Sequence, residues 1–268
     1  MENIANTSIY LTKMSKTFFD KAWFMSHLPE NIDTIIDFGC ADGSFMKFLK
    51  LNCPAITYIG IDNSTEFKQK TINNGFECYE SLEELKQRNP SINPNFTCLI
   101  LSSVLHEIYS YTNADNFWKS VNDSKIKYIA IRDMMGINKG CYYSLDEEYI
   151  TKLFKKYYPI LTKDFMNIYG KFNTSEKVIH FLLKYIYNNE NWKREVKENY
   201  LPINKQLLYN KIKELNYTIE YEEYYKLPYL MNRWKNDFEL HKNNNGQAAL
   251  NHFINFITTH YKMLLQRG

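Results

Sequence analysis

Through the first half of the chain, short apolar runs ending on polar or glycine-bearing turns alternate with stretches whose apolar residues recur at helical spacing. That alternation predicts strands joined by helical crossovers, hence a parallel sheet buried on both faces. Residues 35–38 read as the first strand, and the amphipathic segment 45–50 begins the helix after it. Residues 58–61 give a second strand, 63–75 a second helix and 76–79 a short third strand. Ser81 and Glu84 have capping-box spacing, so another helix starts there. Pro90 and Pro94 bracket a loop before a fourth strand at 96–101, and a fifth follows at 127–132. Ahead of the sheet, Met14, Phe18, Phe19, Ala22, Trp23 and Met25 predict a leading helix over 12–28, stopped by Pro29.

The second half reads differently. Residues 145–199 are helical and aromatic with no strand pattern, and a helix follows Pro202 through Leu215. Residues 217–227 alternate as a strand, 228–257 are helical again around the turn Asn243-Asn244-Asn245-Gly246, and 258–265 read as the last strand. Most of these aromatics belong to a core.

Chemistry gathers where the first strand ends, at Asp37-Phe38-Gly39-Cys40-Ala41-Asp42-Gly43. A glycine such as Gly39 lets the backbone turn sharply and approach a ligand, and the next helix presents unpaired N–H groups. Such a loop suits a nucleotide-like cofactor or a carboxylate. The second strand ends on Asp62, where an acid in a doubly wound sheet accepts from a ribose hydroxyl. A dinucleotide-binding dehydrogenase is the rival reading of these two motifs. However, the loop is not G-x-G-x-x-G, and Asp37 stands where an acid can meet a charged amino group.

In this order the segments resemble the class I S-adenosylmethionine-dependent methyltransferases. Asp37 to Gly43 looks like their first motif, with Ala41 where many members carry a glycine, and Ile59-Gly60-Ile61-Asp62 looks like their second. Leu99 to Glu107 is similar to the fourth-strand motif of many members that do not act on DNA, and Tyr128 to Asp133 to the fifth strand. The resemblance implies an α/β fold: a doubly wound, mostly parallel seven-stranded sheet with an antiparallel last pair and helical insertions near the substrate mouth. It divides the chain into a leading helix and cofactor half at 1–135, a helical insertion at 136–200, and a remainder at 201–268 with a second insert at 228–257. It also implies S-adenosylmethionine as cofactor, held by Asp37, Gly39, Cys40, Ala41, Gly43, Asp62 and Asn63. Cys78, Tyr79 or Glu80 would meet the adenine edge, and Ser102 and Ser103 the methionine end; Tyr79 is equally a packing residue. His106, Glu107, Tyr109 and Tyr111 would face the methyl acceptor, and Tyr10 or Phe18 could close over the cofactor.

Composition narrows this further. With 268 residues, 44% of them hydrophobic, the chain can bury a sizeable core. Cys40, Cys53, Cys78, Cys98 and Cys141 show no ligand spacing and read as buried thiols in a reducing compartment. The first residues lack a basic and apolar leader, and no long apolar run occurs, so a cytoplasmic protein with no membrane span is expected. Residues 1–135 hold 13 Lys/Arg against 16 Asp/Glu, and 136–268 hold 20 against 14. That bias could attract phosphate or an acidic small molecule but falls short of a nucleic-acid footprint.

Methyl transfer from a sulfonium is an in-line displacement, so the protein mainly supplies alignment and a dry pocket. If the acceptor carries a proton, His106 is the base by type, with Glu107 or Asp133 orienting it or acting instead. A structural hydrogen bond for His106 and a loop cap for Asp133 remain open readings. The expected acceptor is a small molecule enclosed by the aromatic inserts; RNA is the alternative, and a non-catalytic donor-binding partner module is a third. DNA is not expected, because the fourth-strand motif lacks the Asn/Asp-Pro-Pro-aromatic form. No His and carboxylate cluster has metal-ligand spacing, so no metal is expected.

Overall fold

The computed structural model describes residues 17–135, 146–188, 191–242 and 244–268. Tyr10, Cys141, Asn243 and the start of the expected leading helix lie outside them. Seven strands form one sheet: β1 (Thr34–Phe38), β2 (Thr57–Ile61), β3 (Glu77–Tyr79), β4 (Thr97–Ser102), β5 (Tyr128–Met134), β6 (Tyr217–Tyr225) and β7 (His260–Arg267). Their order is β3-β2-β1-β4-β5-β7-β6. Pairing is parallel from β3 through β5, with Phe38 opposite both Ile61 and Leu101. Every residue of β4 is buried, as a central strand covered on both faces requires.

Only β7 runs the other way, between β5 and β6. At one end of β7 the Arg267 N–H donates to Lys127 O at 2.8 Å, while beyond the far end of β5 the Met135 N–H donates to Thr259 O at 3.2 Å. Gly268 N–H to Asn216 O and Thr259 N–H to Tyr225 O set β6 antiparallel to β7 in the same way. The seven-stranded, mostly parallel sheet with an antiparallel edge is the expected architecture.

The crossovers start where side-chain caps satisfy the first N–H groups. After α1 (Phe18–Lys21) and α2 (Ser44–Asn52), Ser64 caps α3 (Thr65–Asn73) and Ser81 caps α4 (Leu82–Arg88). The capping box at Ser81 is displaced by one residue: Glu84 reaches back to the N–H of Glu80, not Ser81, at 2.7 Å. Two more helices follow, α5 (Leu105–Tyr111) and α6 (Ala114–Ser124), the second capped by Asn113. The leading helix differs from expectation. Its described part is α1, which tightens into a 3-10 turn at Ala22–Ser26, the usual way a short helical stretch ends before a proline.

Two compact units emerge. One comprises residues 17–133, 208–223 and 262–268, including the C-terminal part of α11 (Lys205–Glu214). Phe24, Ile35, Met46, Leu49, Cys98, Ile100 and Leu264 share its core. The other takes the described residues of 134–207 together with 224–261. It contains α7 (Glu147–Tyr157), α8 (Pro159–Tyr169), α9 (Ser175–Lys184), α10 (Trp192–Glu195), α12 (Pro228–Asp237) and α13 (Asn245–Phe256). The two helical stretches read from the sequence therefore share one core, where Phe154, Phe165, Phe172, Phe181, Trp234 and Phe238 are all but inaccessible. The expected turn at 243–246 opens α13 instead: Asn244 caps it, and Gly246 lies in its first turn. A Cβ on Gly246 would sit 3.1 Å from Tyr149 O, so the glycine permits α13 to close on α7.

Candidate active site

The turn after β1 is held open by backbone conformations few residues accept. Gly39 and Gly43 both sit at φ 76°, and a Cβ on Gly39 would meet Val104 Cγ2 at 2.9 Å. Ala41 takes φ 50° although it is not glycine. Its N–H donates to Asp62 Oδ2 at 3.0 Å, and its carbonyl accepts from Thr71 Oγ1 at 2.7 Å, bonds that hold this conformation. Asp62 Oδ1 accepts from the Ser64 N–H, so the acid at the end of β2 clamps the loop and its own helix start together. Burial raises the Asp62 carboxyl, and the two N–H groups oppose that. Asp62 N–H also donates to Tyr79 O, which brings the end of β3 alongside.

Asp37 lies one residue short of the end of β1 and is 4% exposed. Among the described residues no hydrogen bond stabilises its charge, and burial pushes its carboxyl up to about 7, with Lys21 opposing and Asp62 reinforcing. Lys21, at the end of α1, is also 4% exposed. Burial and the nearby Arg132 bring its ammonium down to about 8, against the attraction of Asp37, Asp133 and Asp20. Ser102 Oγ, at the end of β4, is buried and has no hydrogen-bond partner. Of these three groups, Ser102 Oγ lacks the hydrogen bond that burial normally demands, while Asp37 and Lys21 are buried charges acting on each other.

Around them the site is braced. Arg132 donates from Nε to Asp20 Oδ2 at 2.8 Å and from Nη1 to Ser103 Oγ at 2.8 Å. Lys262 Nζ reaches Asp20 Oδ1 at 2.9 Å. The Ser103 N–H donates to Arg132 O at 2.7 Å, which holds Ser103 at φ 59°. Next to it, Asp133 is 1% exposed and accepts twice from His106, from the ring Nδ1 at 2.7 Å and the backbone N–H at 3.2 Å. With Nδ1 donating, the His106 lone pair lies on Nε2.

The sequence-derived residues therefore fall into two groups. Asp37, Gly39, Cys40, Ala41, Gly43 and Asp62 surround one turn, with Tyr79 at the neighbouring strand end, and Ser102, Ser103, His106 and Asp133 follow at the ends of β4 and β5. Others are engaged elsewhere. Glu80 pairs with Lys68 at 3.0 Å, the Tyr79 hydroxyl donates to Glu77, and Asn63 is exposed. Tyr109 accepts from Trp118 Nε1 at 2.9 Å, Glu107 is half-buried and Tyr111 is 40% exposed. Phe18 packs on Phe45 and Phe48. Sequence reasoning missed Lys21, Asp20, Arg132 and Thr71; a charged residue on the apolar stripe of 12–28 was the one available signal for Lys21.

No family model matches the chain, and no curated protein matches it by sequence. Among solved structures, the plantazolicin methyltransferase BpumL, solved in complex with SAH, superposes with a TM-score of 0.51 at 10% identity. The match covers 98% of this chain and 89% of that one. The cyclopropane synthase MmaA2 from Mycobacterium tuberculosis gives 0.50 at 10% identity, over 93% and 83% of the two chains. The fold is that of the class I methyltransferases. The cyclase SpnF shares it, with a TM-score of 0.50 at 11% identity over 94% of this chain and 80% of that one. A class I methyltransferase fold therefore places a crevice at the strand ends without fixing the reaction run there. No described helix is long and apolar enough to cross a membrane.

Proposed function

We propose that the protein is an S-adenosylmethionine-dependent methyltransferase acting on a small molecule. The observation carrying this reading is the buried Asp37 at the end of β1 and Lys21 at the end of α1, each acting on the other's charge, beside the partnerless Ser102 Oγ at the end of β4. A cationic group and a carboxylate on one ligand would satisfy them together: Asp37 accepts from an ammonium, and Lys21 and Ser102 donate to a carboxylate. The amino-acid end of S-adenosylmethionine has that charge pattern. Asp62 keeps lone pairs beyond the two it spends on Ala41 and Ser64, enough to accept from ribose hydroxyls.

When bound, the cofactor supplies a methyl group already activated by its sulfonium. The protein's own work is alignment and exclusion of water. The glycines at 39 and 43 let the turn close on the protein behind it, where a Cβ would meet Val104 Cγ2 at 2.9 Å and Thr71 Cγ2 at 3.2 Å. His106, held by Asp133, can take a proton at Nε2 from the acceptor, and the Asp133 carboxylate stabilises the resulting imidazolium. The small-molecule acceptor is supported by neighbours named as a plantazolicin methyltransferase and a cyclopropane synthase.

Calorimetry with S-adenosylmethionine, followed by acceptor screening for release of S-adenosylhomocysteine, tests the reading. Binding and turnover are expected, with His106→Gln lowering turnover by about 100-fold or more while leaving donor affinity within a few-fold. Failure to bind the donor would refute it.

A further inference from the structure

Cys40 and Cys78 are separated by 38 positions, yet their sulfurs stand 3.7 Å apart. Both side chains are buried, at 4% and 7% exposure. The contact passes over Gly60. Cys78 on β3 is the register partner of Gly60 on β2, and a Cβ at Gly60 would come within 2.6 Å of Cys40 Sγ. The glycine thus leaves the gap through which the loop cysteine crosses β2 to meet β3. Thr71 Oγ1, 3.7 Å from Cys40 Sγ, closes the pocket and also holds the Ala41 carbonyl.

We propose that Cys40 and Cys78 form a peroxide-oxidisable dithiol that closes into a disulfide over Gly60 and tethers the turn after β1 to β3. The hydrogen bond from Cys40 and the charge of Lys68 lower the Cys78 thiol, while the same contact with Cys78, and burial, push Cys40 up. Cys78, the less buried of the two cysteines at 7% against 4% exposure, is the attacking thiolate. It breaks the O–O bond of hydrogen peroxide, gaining a sulfenic oxygen as hydroxide leaves with the thiol proton as water. Cys40 sulfur then attacks the sulfenic sulfur, the S–O bond breaks, and a second water departs. Two thiols are oxidised and one peroxide is reduced.

Closing the bond draws Cys40 towards β3 and carries the adjoining Ala41 N–H off Asp62. The cross-link stands on the sulfur geometry alone, whereas its effect on donor binding rests on the function proposed above. Reduced full-length protein treated with hydrogen peroxide, alkylated and digested should yield a Cys40–Cys78 linked peptide, with two fewer free thiols. Cys78→Ser should abolish that peptide and leave Cys40 alkylatable. Oxidation of half-buried Cys53 while Cys40 and Cys78 stay alkylatable would overturn the proposal, as would sulfinic acid at Cys78 without a link. Donor affinity of the cross-linked protein should fall about tenfold, the loss of one hydrogen bond to a charged group, and recover with dithiothreitol. A cross-link with undiminished donor affinity would overturn the tether. A reduced protein that binds no donor would instead refute the cofactor reading and leave the peptide map to decide the cross-link.

Discussion

Ala41 is in a conformation that costs an L-residue about 1–2 kcal/mol, and its φ of 50° is maintained by Asp62 and Thr71. Ala41→Gly should remove that cost while adding about 0.4–1 kcal/mol of unfolded-chain entropy. Net stability is expected to rise by up to about 1.5 kcal/mol, read as the denaturation midpoint; a loss would mean the methyl group packs more than it strains. A second expectation concerns protons. In the free protein Asp37 must ionise to receive an ammonium, and its carboxyl sits at about 7. Lys21 must stay protonated to receive a carboxylate, and its ammonium sits at about 8. Donor affinity should therefore climb towards pH 7, peak between the two values and fall above 8. Asp37→Asn should erase the acid limb, and calorimetry on either side of the window checks both. Stability of the ligand-free fold moves oppositely over the acid range. Because the folded carboxyl sits above its usual 3.8, Asp37 contributes stability that is full below that value and is lost as pH rises through about 7. Asp37 and Asp62 were legible in the sequence because each sits at the end of an apolar run. Arg132 was not, because its partner Asp20 lies 112 positions away and nothing local marks the pair.

At the level of elements, the join between the β1 turn and β2 depends on what Gly60 lacks. A methyl there would press on Cys40 Sγ at 2.6 Å and Met46 Cε at 3.0 Å. Gly60→Ala should cost about 1–3 kcal/mol by overpacking and weaken donor binding by displacing the turn. Adding Cys40→Ala should return part of both losses, because the colliding sulfur is gone. A double variant no better than the single would place the strain at Met46 instead. Within the second motif Gly60 reads only as a strand residue, since its close approach depends on a cysteine that folding alone brings over it. The strands themselves were readable to within a residue or two, because burial on both faces writes an uninterrupted apolar run. Elements governed by tertiary contact were less so. The 3-10 turn at Ala22–Ser26 and the helical start at Asn245-Gly246 both contradict local pattern, the second because Gly246 serves close helix packing where an isolated Asn-Gly signals a turn.

For the whole molecule, a net charge of +3 offers a cationic donor no long-range attraction, so affinity must come from the few buried groups at the strand ends. Their burial makes the ligand-free state costly at that spot, and a ligand that pairs with them lowers the free energy of the folded state alone. At a hundredfold excess over its dissociation constant a donor stabilises by about 2.7 kcal/mol. For a chain of this size that corresponds to a rise of about 5–10 °C in Tm. The rise should depend on which part of the donor is present. S-adenosylhomocysteine keeps the ammonium and carboxylate, whereas 5′-methylthioadenosine keeps only the nucleoside that Asp62 and the β1 turn would meet. At equal concentration S-adenosylhomocysteine should therefore raise Tm distinctly more, and Asp37→Asn should narrow the gap. If methylthioadenosine stabilises the wild-type protein equally, the amino-acid end makes no contact with Asp37 or Lys21. Those two would then be members of a structural ion cluster with Arg132 and Asp20, and the function built on their missing partners would fall.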